Sequence, residues 1–107
     1  MKNLSFDREA LAELTDAAEW YDRQRKGLGA QFLHEVDAAL THVRERPLLF
    51  PRLMICSEVE LRRAVVKRFP YAVVFVLLGT EARILAVAHT KRREGYWLGR
   101  VRGLSED

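Results

Sequence analysis

Four side chains near the end of the chain, His89, Lys91, Arg92 and Tyr96, carry groups able to move protons or hold an anion. Histidine titrates near neutrality, tyrosine offers a hydroxyl, and arginine and lysine present charged donors to phosphate or carboxylate. Together these types are compatible with metal-free RNA scission. In that reaction the RNA's own 2′-hydroxyl attacks phosphorus, the cations stabilise the developing phosphorane, and His89 or Tyr96 moves protons. His89 has a second reading, in which its ring bonds a backbone carbonyl and fixes a strand-to-loop transition. Both stay open on the sequence alone. A Gly-rich phosphate loop, Cys or His metal-ligand spacing, and paired carboxylates in the same half are all missing, so neither a metal nor another cofactor is expected.

A second set of cations, Arg62, Arg63, Lys67 and Arg68, brackets the apolar centre Ala64-Val65-Val66, and Arg93 adds to the later cluster. From Leu61 to Arg102 the bases are these five with Arg83, Lys91, Arg92, Arg100 and Arg102, against only Glu81 and Glu94. Asp7 to Arg46 is richer in acids. A partner with negative charge therefore belongs on the C-terminal half, although a basic sheet edge kept in solvent to discourage aggregation would look the same. Arg62 and Arg68 alternate with Arg63 and Lys67, so they form basic strand ends and not one charged face. Tyr96 and Trp97, after three cations, could stack on a base or close over a sheet as core.

Positioning these residues requires regular elements. Leu4-Ser5-Phe6 alternates like a short strand, and Asp7 is placed to cap a helix. Leu11, Leu14, Ala18 and Tyr21 then recur at helical spacing, with Arg23, Arg25 and Lys26 toward the C-terminal end and Gly27 as a left-handed stop. Trp20 falls beside that stripe; it is expected to rest on the sheet, the alternative being a place in an exposed contact surface. The short Gly27-Leu28-Gly29 connection predicts a second helix folded back on the first, with Phe32, Val36, Ala39, Leu40 and Val43 facing inward and Leu33 at the flank. His34 and His42 fall on its polar side, and Pro47 ends it. Leu49 and Phe50, between Pro47 and Pro51, are expected to plug the core. Residues 52–58 show no clear pattern.

Three strands are predicted over about 59–68, 71–78 and 82–89, reversing at Phe69-Pro70 and at Gly79-Thr80-Glu81. Strict alternation would put Arg83, Leu85, Val87 and His89 on one face and Ile84, Ala86, Ala88 and Thr90 on the other. The middle strand is apolar on both faces, yet a helical hairpin can cover only one. The C-terminal segment, a second copy or a partner protein must cover the other, and residues 103–107 read as a frayed tail. The fold class is thus α+β: a short strand, an antiparallel helical hairpin on a mainly antiparallel sheet in the order β-α-α-β-β-β, and a short C-terminal segment.

At 107 residues, 49% of them hydrophobic, the chain suits one domain over 1–107. No apolar run is long enough for a membrane span, and the N-terminus lacks a secretory pattern, so a cytoplasmic location is expected. The single cysteine, Cys56, cannot form an internal disulfide.

The order of these parts resembles a known family. A strand, a hairpin turning at Gly27-Leu28-Gly29, Arg46-Pro47-Leu48-Leu49-Phe50-Pro51, Arg68-Phe69-Pro70-Tyr71-Ala72-Val73, Leu85-Ala86-Val87-Ala88-His89 and Arg92-Arg93-Glu94-Gly95-Tyr96-Trp97 resemble toxins of the RelE/ParE superfamily. The resemblance implies a type II toxin bound by an acidic antitoxin in a hetero-oligomer, the antitoxin covering exposed sheet or hairpin surface. RelE-like members cleave mRNA on the ribosome, whereas ParE-like members block DNA gyrase without a catalytic constellation. Carried over by position, the arginine that follows the central strand's tyrosine in RelE-like nucleases is Ala72 here. Their sheet-end arginine falls at Lys91 or Arg92, and their catalytic tyrosine at Tyr96 or Trp97. The missing donor and the long hairpin look more ParE-like, with Arg62, Arg63, Lys67, Arg68, Arg93 and Trp97 as target- or antitoxin-binding candidates. A non-toxic binding module on the same fold is the third possibility.

Overall fold

The computed structural model describes residues 2–55 and 58–104; Cys56 and the tail residues 105–107 lie outside the described residues. β1 (Asn3–Phe6) leads into α1 (Arg8–Gln24), capped by Asp7, whose carboxylate accepts the Glu9 amide N–H at 2.9 Å. Ala10 and Ala17 are buried on α1, with Leu14, Ala18 and Tyr21 packed beside them. Leu11, expected in that stripe, is half exposed: the buried face is centred on small residues that let the helix lie close to its neighbours.

Close approach also explains the turn. A Cβ on Gly29 would stand 2.4 Å from the Ala18 carbonyl oxygen, so only glycine fits where α2 (Leu28–Glu45) crosses α1. Gly27 is left-handed as predicted, at φ 91°, but it caps the start of α2; α1 has already ended at Gln24. Asp22 accepts the amide N–H groups of both Gly27 and Gly29. The inward set of α2 is buried as its spacing requires, with Leu33 left exposed.

A single 3₁₀ turn, Pro47–Leu49, follows. Phe50 reaches the core against Phe75, but Leu49 is 73% exposed, because the turn at Pro47 swings it outward. The unassigned stretch contains β2 (Arg52–Leu53), and the three predicted strands are β3 (Leu61–Val65), β4 (Tyr71–Leu78) and β5 (Glu81–His89). The sheet order is β1-β5-β4-β3-β2, with β1 parallel to β5 and every other pair antiparallel. Residues 67–70 make the reversal between β3 and β4, closed by the Val66 N–H on the Tyr71 carbonyl. Arg68 takes φ 72° there and ties the turn to α2 through Gln31 and Glu35.

Simple alternation fails on β5. Phe75 faces Ile84 and Val74 faces Ala86, leaving Leu85 as an extra residue opposite the Val74/Phe75 step. This β-bulge puts Ile84 and Val87 on the hairpin side but Leu85 and Ala86 together on the other. The second face has its own core, in which Trp97, 2% exposed, and Val101 of α3 (Gly99–Leu104) pack on Leu61, Val74, Val76, Leu85 and Ala86. The C-terminal segment is therefore the cover of the middle strand's second face, which needs no antitoxin or second copy over those residues. Gly103 and Leu104, predicted as frayed tail, belong to α3.

Candidate functional site

β1 pairs with β5 only over Glu81–Ile84, so one edge of β5 continues beyond the end of its neighbour. Two side chains finish that edge. Glu13 Oε1, from α1, accepts the Val87 N–H at 3.0 Å, and Arg100 Nη1 donates to the Leu85 carbonyl at 2.8 Å. The two then form a fork with each other, Arg100 Nη1 to Glu13 Oε1 at 2.9 Å and Nη2 to Oε2 at 3.1 Å. Tyr96 donates its hydroxyl to Glu13 Oε2 at 2.6 Å. Arg92 lies over the Tyr96 ring at 3.6 Å from its centroid, with Nη1 3.6 Å from Glu13 Oε2, and Arg100 Nε reaches Glu9 at 3.2 Å. One carboxylate thus joins α1, β5 and the C-terminal segment.

Burial alone would raise the pKa of Glu13, but the hydrogen bonds from Arg100, Tyr96 and Val87 outweigh it and hold the carboxyl below its ordinary value. Tyr96 moves the other way, pushed well up by burial and by its bond to the anionic Glu13. Its proton is committed to an internal carboxylate, which suits a clamp and opposes proton exchange with a substrate.

The other predicted residues divide between structure and surface. Tyr71 stands opposite His89 in the ladder, their rings 5.1 Å apart, and His89 Nδ1 accepts the Lys91 backbone N–H at 3.0 Å. That partner is an amide and not the carbonyl anticipated, so in the neutral ring the proton rests on Nε2. Lys91 is exposed beyond the strand end. Arg62 is spent internally, on Glu60 at 2.7 Å and on the Phe50 carbonyl at 2.6 Å. Arg68 is spent on the turn. Arg63, Lys67 and Arg93 remain at the surface, Arg63 loosely facing Glu94 at 3.9 Å. Trp97 is removed from the surface set, because its ring is the centre of the second core.

Two clefts flank this cluster. One, about 540 Å³, opens between α1 and the ends of β4 and β5, lined by Asp16, Trp20, Tyr21, Tyr71, His89 and Arg92 among others. Trp20, expected to rest on the sheet, is 49% exposed here and meets Tyr21 edge-on. The other, about 210 Å³, lies on the second face, where Arg63, Arg92, Arg93, Glu94 and Thr90 gather near Ala72. No group of three or more metal-ligating side chains occurs among the described residues. Glu13 and Arg100 were not singled out from the sequence. Glu13 is one acid among many on an acidic helix, and 87 residues separate it from its arginine.

The sequence profile of the family described as "ParE toxin of type II toxin-antitoxin system, parDE" matches residues 4–94. The match ends before Tyr96, Trp97 and Arg100. No curated protein sequence matches the chain. A solved structure described as "Chromosomal ParDE TA system from P. aeruginosa" is similar, with a TM-score of 0.70, 17% identity, and coverage of 83% of this chain and 96% of that one. At that identity the likeness speaks for the fold.

Proposed function

Because the chain belongs to the ParE toxin family of type II toxin-antitoxin systems, we propose that it arrests growth by binding DNA gyrase and not by cutting RNA. The observation that carries this reading is the Tyr96 hydroxyl donated to Glu13 at 2.6 Å. RNA scission needs a group free to take a proton from the 2′-hydroxyl and another to return one to the leaving oxygen. Here Tyr96 is tied to a carboxylate and Arg92 is stacked on its ring, while Ala72 replaces a donor that would face the phosphorane. Losing one such donor costs about 100-fold in rate. Binding to a large target asks none of this of the cluster.

In this reading the surface cations Arg63, Lys67 and Arg93 contact a target or an acidic antitoxin, and no cofactor takes part. The protein acts in the cytoplasm, where gyrase and DNA are found. No helix among the described residues is long and apolar enough to cross a membrane.

One observation favours the alternative of ribosome-dependent mRNA cleavage. The smaller cleft brings Arg63, Arg92 and Arg93 together over the second face, a geometry that suits a phosphate. Two assays on the purified protein separate the readings. Inhibition of gyrase supercoiling at stoichiometric protein, with mRNA intact on programmed ribosomes, is the expected outcome. Cleavage that disappears on His89→Ala and Arg92→Ala, with supercoiling untouched, would overturn it.

A further inference from the structure

Among the described residues the opposite edge of the sheet is unfinished. β2 pairs with β3 only at Arg52↔Arg62 and Leu53↔Leu61, and the Arg63 N–H makes the last bond on that side, to the Pro51 carbonyl at 3.1 Å. In an antiparallel strand the N–H and C=O of alternate residues point to the same side. Arg63 bonds outward and Val66 bonds inward to Tyr71, so the Arg63 C=O and both backbone groups of Val65 point outward, beyond the reach of β2. The Val65 side chain is 65% exposed, a β-branched residue in solvent on an open edge. Exposed cations flank it: Arg63 two residues before, and Lys67 two residues after, at the strand's exit into the turn. Arg62 anchors the loop bearing the exposed Leu48 and Leu49 against this strand through its bond to the Phe50 carbonyl.

We propose that the β3 edge from Arg63 to Lys67 receives an extended segment of a partner polypeptide whose apolar residue pairs with Val65 and whose flanking acidic residues meet Arg63 and Lys67. Main-chain bonds to an open edge supply affinity, and alternate side chains supply selection. Opposite charges directly across a strand pair are favourable and like charges are not.

That rule also decides against a second copy. β2 occupies the edge as far as the Arg63 N–H, so an antiparallel pairing of two β3 strands has to centre on Val65 or later. Centred on Val65, it sets Arg63 of each copy opposite Lys67 of the other, and four cations gather around one pair of valines. The same pattern that repels self-pairing is complementary to an acidic, apolar, acidic strand. For the partner's identity, an antitoxin, the inference rests on the proposed function; for the surface it does not.

The test is an amide NMR titration of the whole protein with a capped seven-residue peptide that alternates threonine with glutamate, valine and glutamate. The Arg63 and Val65 amides are expected to shift, with slowed exchange at the Val65 N–H, and the lysine-for-glutamate peptide is expected to leave them unmoved. Arg63→Glu with Lys67→Glu should weaken binding at least tenfold. Val65→Pro removes an N–H that no internal ladder bond uses and should abolish binding with the fold retained. If that variant does not fold, the charge-reversed protein, altered only at exposed positions, decides alone. Shifts absent at Val65 at millimolar peptide, equal binding by the charge-reversed protein, displacement by single-stranded RNA, or a concentration-dependent dimer broken by Val65→Lys would each overturn the proposal. Because none of these reads growth arrest, a failure here is distinguishable from a failure of the gyrase reading.

Discussion

The two faces of this sheet are covered by different means. On the hairpin side, α1 and α2 bring Tyr21, Phe32, Val36 and Val43 onto β3, β4 and β5, joined by Phe69 from the β3–β4 turn, in a core whose buried members are all apolar. On the other side one tryptophan and a six-residue helix, whose buried residue is Val101, cover the middle strand. An ion cluster anchored on Glu13 holds that short cover in place. The first face is secured by apolar area spread over two long helices. The second concentrates its hold in few residues, so its opening should be local where the first face's is global.

The largest effects should come from emptying either core. Phe32→Ala and Trp97→Ala each remove a large buried ring and should cost about 3–5 kcal/mol in urea unfolding. Their hydrogen-exchange patterns should differ. With Phe32→Ala, amides throughout β4 should lose protection together. With Trp97→Ala, the Arg100 and Val101 N–H groups, which bond to Trp97 and Leu98, should exchange fastest while β4 stays protected. Uniform loss in both variants would erase the distinction between the faces.

Next comes the clamp. Glu13→Ala leaves Arg100, whose side chain is 11% exposed, without its fork partner and opens the Val87 N–H, for a loss of roughly 2 kcal/mol. Acid should reproduce part of this. Because the folded-state pKa of Glu13 is lowered, its stabilisation is fully present above the ordinary glutamate value, about 4.3, and is lost as pH falls through the folded value. Stability should therefore fall below about pH 4.3 in the wild type, and that acid limb should flatten in Glu13→Gln. An unchanged limb would mean that other carboxylates carry the acid sensitivity.

The hairpin face was legible in the sequence because helical periodicity is written locally: Phe32, Val36, Leu40 and Val43 could have few other destinations. The doubly apolar β4 likewise announced that a second cover exists. What supplies it was not legible, since Trp97 follows three cations and reads equally as a base-stacking surface. Nor could local alternation foresee the extra residue at Leu85, which moves Leu85 to the far face while Val87 stays on the hairpin side. Trp20 and Leu11 were misplaced for a related reason, because the burial of α1 is set by close approach at alanines and at Gly29 and not by its largest side chains. The candidate site suffered most. Its centre is a pairing across 87 residues, and a spacing of that kind leaves no periodic trace.

The smallest predicted effect is also the most discriminating. Tyr96→Phe keeps the ring beneath Arg92 and removes only the hydroxyl bonded to Glu13. Glu13 retains the Arg100 fork and the Val87 N–H, so its charge stays paired and the loss should be about 1 kcal/mol, the net worth of one typical hydrogen bond. If the second face is held chiefly by charge, this change should speed exchange at Val101 without altering the urea slope. If Trp97 alone holds it, exchange there should not move. Function separates independently of stability: a protein that works by binding gyrase should arrest growth as well with phenylalanine as with tyrosine, whereas one that uses Tyr96 to move a proton should lose its activity with the hydroxyl.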